Sequence, residues 1–442
     1  MAIPREHSGR FFYHFTAIDH LPGILEHGLH SVNEQIRLGI THKSIANKQI
    51  QGRRSTMEVT CGPGGVVHDY VPFYLCKRSS MMLGVLNVKN VDQHDLIYLA
   101  IPIGTIEENH VVFTDAAANT EIPPDFFHNT DDLQRLNWGA IDNLAFRIDD
   151  DAERQARMAE VLIHRSVDIR IIDHIVVCNS RVGEKVEEIY KAAGKASPSI
   201  RVDPRHYYTK YPDEPTKSLI AGPKSTRLCF ERSVKRILEK GQNPNASNLA
   251  ELLAALRSDL TKLKETRELI GLETANDVHI ENVGDHTRSV AQRLTASDYF
   301  KVLDPNAQQL CEVAAYLHDI GKGPKSRWAA KGGKQQAERD HPLRSVEMLV
   351  RILTEDIREI GPTDVRSLAK LICYHDLVGD ILGRERDIAQ LEDISETEKD
   401  LDMLIALGMA DMRAISNSWF ENHQNEVPAL RARVIASLEA RA

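Results

Sequence analysis

The stretch CEVAAYLHDIGKG, residues 311–323, joins an apolar helix face to an adjacent histidine and aspartate and then stops at two glycines. Val313, Ala314 and Leu317 stand at i, i+1 and i+4, which predicts a helix packed on a core with His318 and Asp319 in its last turn. An imidazole and a carboxylate side by side at a helix end can share one divalent metal when other segments bring more ligands. Such a site needs an upstream histidine and a downstream aspartate on separate helices. His286 lies in ENVGDHTRSVAQRL, where Val283, Val290 and Leu294 define a core face. Asp411 lies in LDMLIALGMADMRA, where Leu401, Leu404, Ile405 and Met409 do the same. Between them His341 opens DHPLRSVEML and His375 ends the apolar run LAKLICYHD. Each candidate ligand sits at the edge of an otherwise apolar helix, so packing these helices would point them all at one cavity.

The chain around this stretch has 442 residues, enough for two or three domains with separate cores. A hydrophobic fraction of 42% with 27% charged residues is that of a soluble globular protein. The net charge of −9 excludes a wholly basic nucleic-acid coat but not a local basic site. One is visible from Gln35 to Met57, which holds no Asp or Glu and carries Arg37, Lys43, Lys48, Arg53 and Arg54. The cysteines Cys61, Cys76, Cys178, Cys229, Cys311 and Cys373 form no CxxC pair, so neither a zinc knuckle nor a redox motif is suggested. They read as reduced thiols. No apolar run reaches the roughly 18 residues of a membrane span, and residues 1–10 are polar, so the expectation is a soluble cytoplasmic protein with no membrane partner.

Upstream, the sequence alternates β-formers with short helical patterns. FFYHFT at 11–16 reads as a strand carrying His14 and Thr16, followed by a helix through Ile18, Leu21, Ile24 and Leu25 that ends at Gly28. A glycine-rich turn at 61–65 precedes β-formers from His68. Leu96 to Ile103 and His110 to Phe113 read as paired strands, and Ile169 to Cys178 as another. In DDAERQARMAEVLIH, 150–164, Glu160 stands before Val161, Leu162 and Ile163, and a carboxylate at the mouth of a buried strand is costly unless paired or working. A helix is expected at Lys185–Ala193. The reading is α+β with a mostly antiparallel core over residues 1–212. Four prolines, Pro204, Pro212, Pro215 and Pro223, then suggest a connecting segment at 213–246. From 247 to 442 the pattern is all-α, beginning with Leu249, Leu252, Leu253, Leu256, Leu260 and Leu263 behind a capping Ser247.

The order H, HD, H, H, D over about 275 to 420 resembles the HD-domain phosphohydrolase superfamily, with LHDIGK as its most specific element. The resemblance implies a first metal set of His286, His318, Asp319 and Asp411, a second site completed by His341 and His375 and bridged by Asp319, and Lys322 against substrate phosphate. It implies one or two divalent metals, without distinguishing Mn, Fe, Mg or Zn, acting on a nucleotide or other phosphoester. CYHDLVGDILGRE lacks the paired HH and GYP element of the cyclic-dinucleotide phosphodiesterases of that superfamily.

Residues 11 to about 212 resemble the DarT family of DNA ADP-ribosyltransferases. The blocks that carry this are FFYHFTAIDHLPGILEHGL, IQGRRSTMEV, VVHDYVPFYLCKRSSMML, RQARMAEVLI and the closing HYY. The resemblance implies NAD as cofactor and single-stranded DNA as acceptor in a toxin or defence setting. It places His14 and Thr16 at the nicotinamide riboside, Arg154 as a further cofactor contact, Glu160 as catalytic glutamate, and one of Arg53 and Arg54, preferably Arg54, as catalytic arginine. Lys77 and Arg78 would lie near the nucleic acid. His20 and LCKRSSMM depart from the family's usual Asn and FxPRSPM, which bears on the choice of target base. The chemistry agrees, because a carboxylate beside the ribose stabilises the positive charge that develops when the nicotinamide bond breaks. The expectation is thus a two-domain enzyme, a glycosyltransferase of the ADP-ribosyl type followed by an HD domain that restrains it or processes its product. Two other readings share the residues: a non-catalytic nucleic-acid-binding module that feeds an HD nuclease, and ADP-ribosylation of RNA or protein.

Overall fold

A computed structural model describes residues 3–40, 48–146, 148–208, 220–275 and 281–441, the side chains of 48–50 excepted. The chain divides into two compact units, Met1–Ile220 and Ala221–Ala442. Among the described residues no helix is long and apolar enough to cross a membrane.

The first unit is organised on a sheet of eight strands: β1 (Phe11–Ala17), β3 (Tyr70–Tyr74), β4 (Leu96–Pro102), β5 (Val111–Thr114), β6 (Phe126–Phe127), β7 (Glu160–His164), β9 (His174–Val177) and β10 (Ser199–Val202). Two short strands, β2 (Leu29–His30) and β8 (Ser166–Val167), pair separately. The order is β10-β9-β4-β1-β3-β7-β5-β6, and only β9 and β10 run parallel. β4 is buried from Leu96 to Ile101, so both of its faces are covered and its sequence is a continuous apolar run instead of an alternating one.

Several boundaries differ from the sequence reading. The segments at 96–103 and 110–113 are both strands, yet they do not pair. All seven residues of β1 register against β4, and β5 lies between β7 and β6. Period-2 patterning identifies a strand without naming its neighbour. The expected strand 169–178 shortens to His174–Val177, because Ile169–Ile171 forms a 3-10 turn capped by Asp168. The helix expected at Lys185 begins at Ser180, where the Asn179 side chain accepts from the Val182 amide.

The second unit is built from helices around a core that includes Phe230, Leu317, Val346, Leu368, Ile372 and Leu404. The proposed connecting segment 213–246 divides. Residues 213–219 lie outside the described residues, whereas Pro223–Lys240 is an eighteen-residue helix that buries Thr226, Cys229, Phe230, Ser233, Val234 and Ile237. Pro223 occupies the first helical turn, where a missing N–H costs nothing, so it starts a helix and does not mark a linker. The helix Leu249–Ser258 is capped by Asn248, not Ser247, through reciprocal hydrogen bonds with Glu251.

Two candidate active sites

In the first unit, Glu160 opens β7 with its carboxylate turned inward and no exposed surface. Its counter-ion is Arg54, the last residue of the helix Lys48–Arg54, itself 5% exposed. Arg54 Nη1 donates to both carboxylate oxygens at 3.0 Å, and Nη2 donates to Oε2 at 3.0 Å. The Ala118 amide donates to Oε1 at 2.9 Å, and the Glu160 amide donates to Thr114 Oγ1 at 3.1 Å. Burial works against the Arg54 charge, but the carboxylate outweighs it and holds the guanidinium above its ordinary value. Tyr74, paired in register with Glu160, has its phenol pushed up, first by burial and then by that carboxylate. The result is a glutamate side chain held in one orientation by fixed donors, an arrangement preorganised to face a developing positive charge.

The other expected residues are placed differently. β1 and β3 share one registered pair, Tyr13 with Tyr74, so the strands part beside it. His14 spans the parting by donating from Nδ1 to the Pro72 carbonyl at 2.8 Å, and burial lowers its pKa. Thr16 Oγ1 lies 3.0 Å from His20 Nδ1. Arg53 is exposed and donates to the Asn119 carbonyl at 3.3 Å. Arg154 is partly exposed and pairs with Asp151 at 2.7 Å one turn back on its helix. The buried arginine of that helix is Arg157, 1% exposed, donating to Ser80 Oγ at 2.8 Å and to the Ala145 carbonyl at 2.8 Å. Arg78 is also buried and donates to the Leu144 carbonyl at 2.6 Å, so it braces the fold and is not presented to a strand of nucleic acid. Lys77 is partly exposed, 3.6 Å from Asp203. Of the basic segment, Arg37 pairs with Glu34, while Lys43 and the Lys48 side chain lie outside the described residues.

In the second unit, His286 comes from the helix Val283–Ala296, His318 caps Pro305–Leu317, His341 opens His341–Arg351, His375 follows Pro362–Cys373, and Asp411 lies in Glu398–Ile415. His318 and Asp319 therefore stand just past the helix end and not in its last turn. All six expected ligands converge. His286 Nε2 is 3.0 Å from Asp411 Oδ1 and 3.7 Å from Asp319 Oδ2; His318 Nε2 is 3.3 Å from Asp319 Oδ2. On the other side, His341 Nε2 is 3.1 Å from Asp319 Oδ1 and 3.1 Å from His375 Nε2. Two ligand groups result, His286, His318 and Asp319, and Asp319, His341 and His375, which share the Asp319 carboxylate.

The histidine tautomers follow from backbone contacts. Nδ1 of His318, His341 and His375 donates to the carbonyls of Ala315, Glu338 and Ile372 at 2.8, 2.7 and 2.9 Å. That leaves each Nε2 lone pair aimed at the cluster, the arrangement metal-ligating histidines adopt. Among the described residues, His318 Nε2 and Asp319 Oδ1 are buried without a hydrogen-bond partner, a cost that a bound cation would remove. Burial, with His318 and His341 nearby, pushes His375 down to about 4, so it is a neutral ligand at pH 7. Burial alone would raise Asp319, but Lys322 at 2.7 Å and His318 outweigh it and keep the carboxylate well below its usual range. The donor set fits a divalent metal.

Gly321 makes this convergence possible. A Cβ there would come within 2.6 Å of the Ser345 amide and closer still to the His341 carbonyl, while the Gly321 amide donates to Ser345 Oγ and that hydroxyl donates to the His318 carbonyl. Gly321→Ala is expected to destabilise the second unit by about 3 kcal/mol, a fall of roughly 6–12 °C in the midpoint of its calorimetric transition.

Comparison with known proteins supports both readings of the chain. The family described as ssDNA thymidine ADP-ribosyltransferase, DarT, matches residues 13–209, and the HD domain matches residues 277–409. A DNA ADP-ribosyl transferase of Thermus sp. (strain 2.9) is 33% identical over 202 residues, which is 44% of this chain and 95% of the relative. A DNA ADP-ribosyl transferase-DNA ADP-ribosyl glycohydrolase fusion protein of Thermosipho africanus is 24% identical, over 45% of this chain and 50% of the relative. The solved structure of Thermus sp. 2.9 DarT in complex with ADP-ribosylated ssDNA covers 47% of this chain and 99% of its own, with 31% identity and a TM-score of 0.42.

Proposed function

This chain belongs to the DarT family of ssDNA thymidine ADP-ribosyltransferases through its first unit and carries an HD domain in its second, and from that premise we propose a division of labour between them. The first unit transfers ADP-ribose from NAD to a thymine base of single-stranded DNA. The second is a metal-dependent phosphohydrolase.

The buried Arg54–Glu160 pair carries the first assignment. Breaking the bond between nicotinamide and ribose leaves positive charge at the anomeric carbon, and the Glu160 side chain is already oriented by Arg54 and the Ala118 amide. The incoming base nitrogen forms the new bond to that carbon and loses its proton, for which Glu160 is the acceptor. In this reading Arg54 positions the carboxylate, and Arg53, exposed beside it, is the arginine open to a phosphate. His14 and Thr16 alternate with Tyr13 along β1 and so reach the nicotinamide riboside beside Glu160 only through the parting between β1 and β3, and Arg154 is reached by NAD only if its pair with Asp151 opens.

In the second unit, His286, His318, Asp319 and Asp411 would hold one divalent ion and Asp319, His341 and His375 a second, an imidazole-rich set suited to a transition metal such as Fe or Zn. Such an ion supplies an activated water and polarises a phosphoryl oxygen. Lys322 pairs with Asp319 at 2.7 Å and has further N–H groups to donate to a substrate phosphate. The Thermosipho africanus relative joins its transferase to a glycohydrolase. Here the partner unit is of HD type, and because the ADP-ribosyl mark contains a diphosphate, the modified strand is its first candidate substrate. On this reading the second unit processes or restrains a toxin-type activity.

The test is incubation of the full chain with NAD and a set of single-stranded oligonucleotides, DNA and RNA, with and without thymine, read by mass spectrometry. An ADP-ribose adduct on thymine-containing DNA is expected. No adduct on any DNA, or an equal adduct from Glu160→Ala, would overturn the assignment.

A further inference from the structure

A cleft of about 410 Å³ opens in the first unit and is lined by Arg10, Tyr13, Lys77, His174, Arg201 and Arg205 among others. It lies on the face of the sheet that carries Glu160. Residues paired across strands share a face, and one unbroken row of pairs runs from Glu160 through Tyr74, Tyr13 and Ala100 to His174. At about 4.8 Å per strand, the row puts the near wall at Tyr13 about 10 Å from Glu160 and the far wall at His174 about 19 Å away.

The cleft is built for an anion. Four cations from separate segments line it against two carboxylates, Asp142 and Asp203. Arg10 is fixed by Asp142 at 2.7 and 2.8 Å and stacks over Trp138. Arg205 and Lys77 share Asp203, and Arg201 leans on Asp173 at 3.3 Å. Arg201 and Arg205 are about half exposed and can swing from these carboxylates to an incoming ligand. Beneath them His206 is 1% exposed, and among the described residues neither of its ring nitrogens has a hydrogen-bond partner, Asp203 Oδ2 standing off at 3.5 Å from Nδ1. An orphaned imidazole at the floor of a cationic cleft calls for a ligand oxygen or a water that carries its contact.

We propose that this cleft binds backbone phosphates of the acceptor strand next to the base presented to Glu160, an inference that rests on the transferase reading. A row of cations along one face suits a polyanion that enters from solvent and tracks past the reacting base. The diphosphate of NAD is a poorer occupant, since among the described residues no α-helix N-terminus lines the cleft, the one-turn 3-10 helix Pro204–His206 being capped there by Asp203's own carboxylate.

The experiment measures binding of an unmodified thymine-containing oligonucleotide by fluorescence anisotropy without NAD, and in parallel the KM for oligonucleotide and for NAD in the transfer reaction. Arg201→Ala/Arg205→Ala, with Lys77→Gln as a second variant on another segment, is expected to weaken oligonucleotide binding about tenfold. The slope of log affinity against log salt should fall by about 0.7 for each phosphate that is no longer neutralised, with the KM effect confined to the oligonucleotide. Unchanged affinity and salt slope in both variants would overturn the proposal, as would a raised KM for NAD with the oligonucleotide KM unaltered, which would assign the cleft to the donor. Wild-type protein that binds the strand through the cleft yet forms no adduct would sink the transferase reading and leave the cleft standing.

Discussion

Glu160→Gln is expected to lower ADP-ribosyl transfer to thymine-containing DNA by about 10³–10⁴-fold, because one change removes both the charge that stabilises the ribose and the acceptor of the base proton. The same change strains the fold. Arg54 is buried, and a neutral amide in place of the carboxylate would leave its cation without a counter-ion, where breaking a buried pair costs about 3–5 kcal/mol. The amide oxygen can still accept from Arg54 and from the Ala118 amide, so the lower end of that range applies. Loss of activity could therefore be mistaken for loss of structure, and a second variant separates them. Arg54→Met/Glu160→Gln leaves no charge buried, so its unfolding free energy should recover by about 2 kcal/mol relative to Glu160→Gln alone. Its transfer rate should not recover. Equal recovery of stability and rate would mean that Glu160 is a structural partner of Arg54 and nothing more.

What the sequence could and could not convey divides along a physical line. The candidate ligands of the second unit were legible because each is a chemically distinctive residue within or beside an otherwise apolar helix, and the six lie close together in the fold. The Arg54–Glu160 pair was legible only as two suspicious residues. Their separation of 106 positions is closed by packing the end of a helix against a strand, which no local pattern reports. Arg157 was missed for a different reason. Its partners include the backbone carbonyls of Asn143 and Ala145, which leave no side-chain signature, whereas the neighbouring Arg154 merely satisfies Asp151 one turn away. Arg78 hides in the same manner behind the Leu144 carbonyl. The helix Pro223–Lys240 hides behind its own first residue, because a proline in the first turn has the same sequence signature as one in a linker. The cleft at Arg201 and Arg205 has no motif, since its cations come from separate segments that only the sheet order brings together.

Asp319→Ala is expected to abolish divalent-metal binding by the second unit altogether, whereas His375→Ala should remove only part of it. Asp319 is the residue common to both ligand groups: Oδ1 faces His341, and Oδ2 faces His318 and His286. Removing it deletes the shared oxygen ligand of both groups and frees the Lys322 ammonium, now unpaired, to repel any ion that approaches. His375 contributes to one group alone, so the set at His286, His318, Asp319 and Asp411 keeps its members without it. Elemental analysis of the purified proteins should show metal in wild type, less in His375→Ala and none in Asp319→Ala. Thermal unfolding gives an independent readout. A metal present at about 100 times its dissociation constant stabilises the folded state by about 2.7 kcal/mol, so added Mn²⁺, Fe²⁺ or Zn²⁺ should raise the midpoint of wild type and leave Asp319→Ala unmoved. Retention of metal by Asp319→Ala, with affinity within about tenfold of wild type, would show that the carboxylate does not bridge and that Lys322, not a metal ion, is its resident partner. ADP-ribosyl transfer measured on the same variant then decides whether the two activities are independent. An unchanged rate separates them, and a rate that falls with the metal makes occupancy of the HD site a control on the transferase.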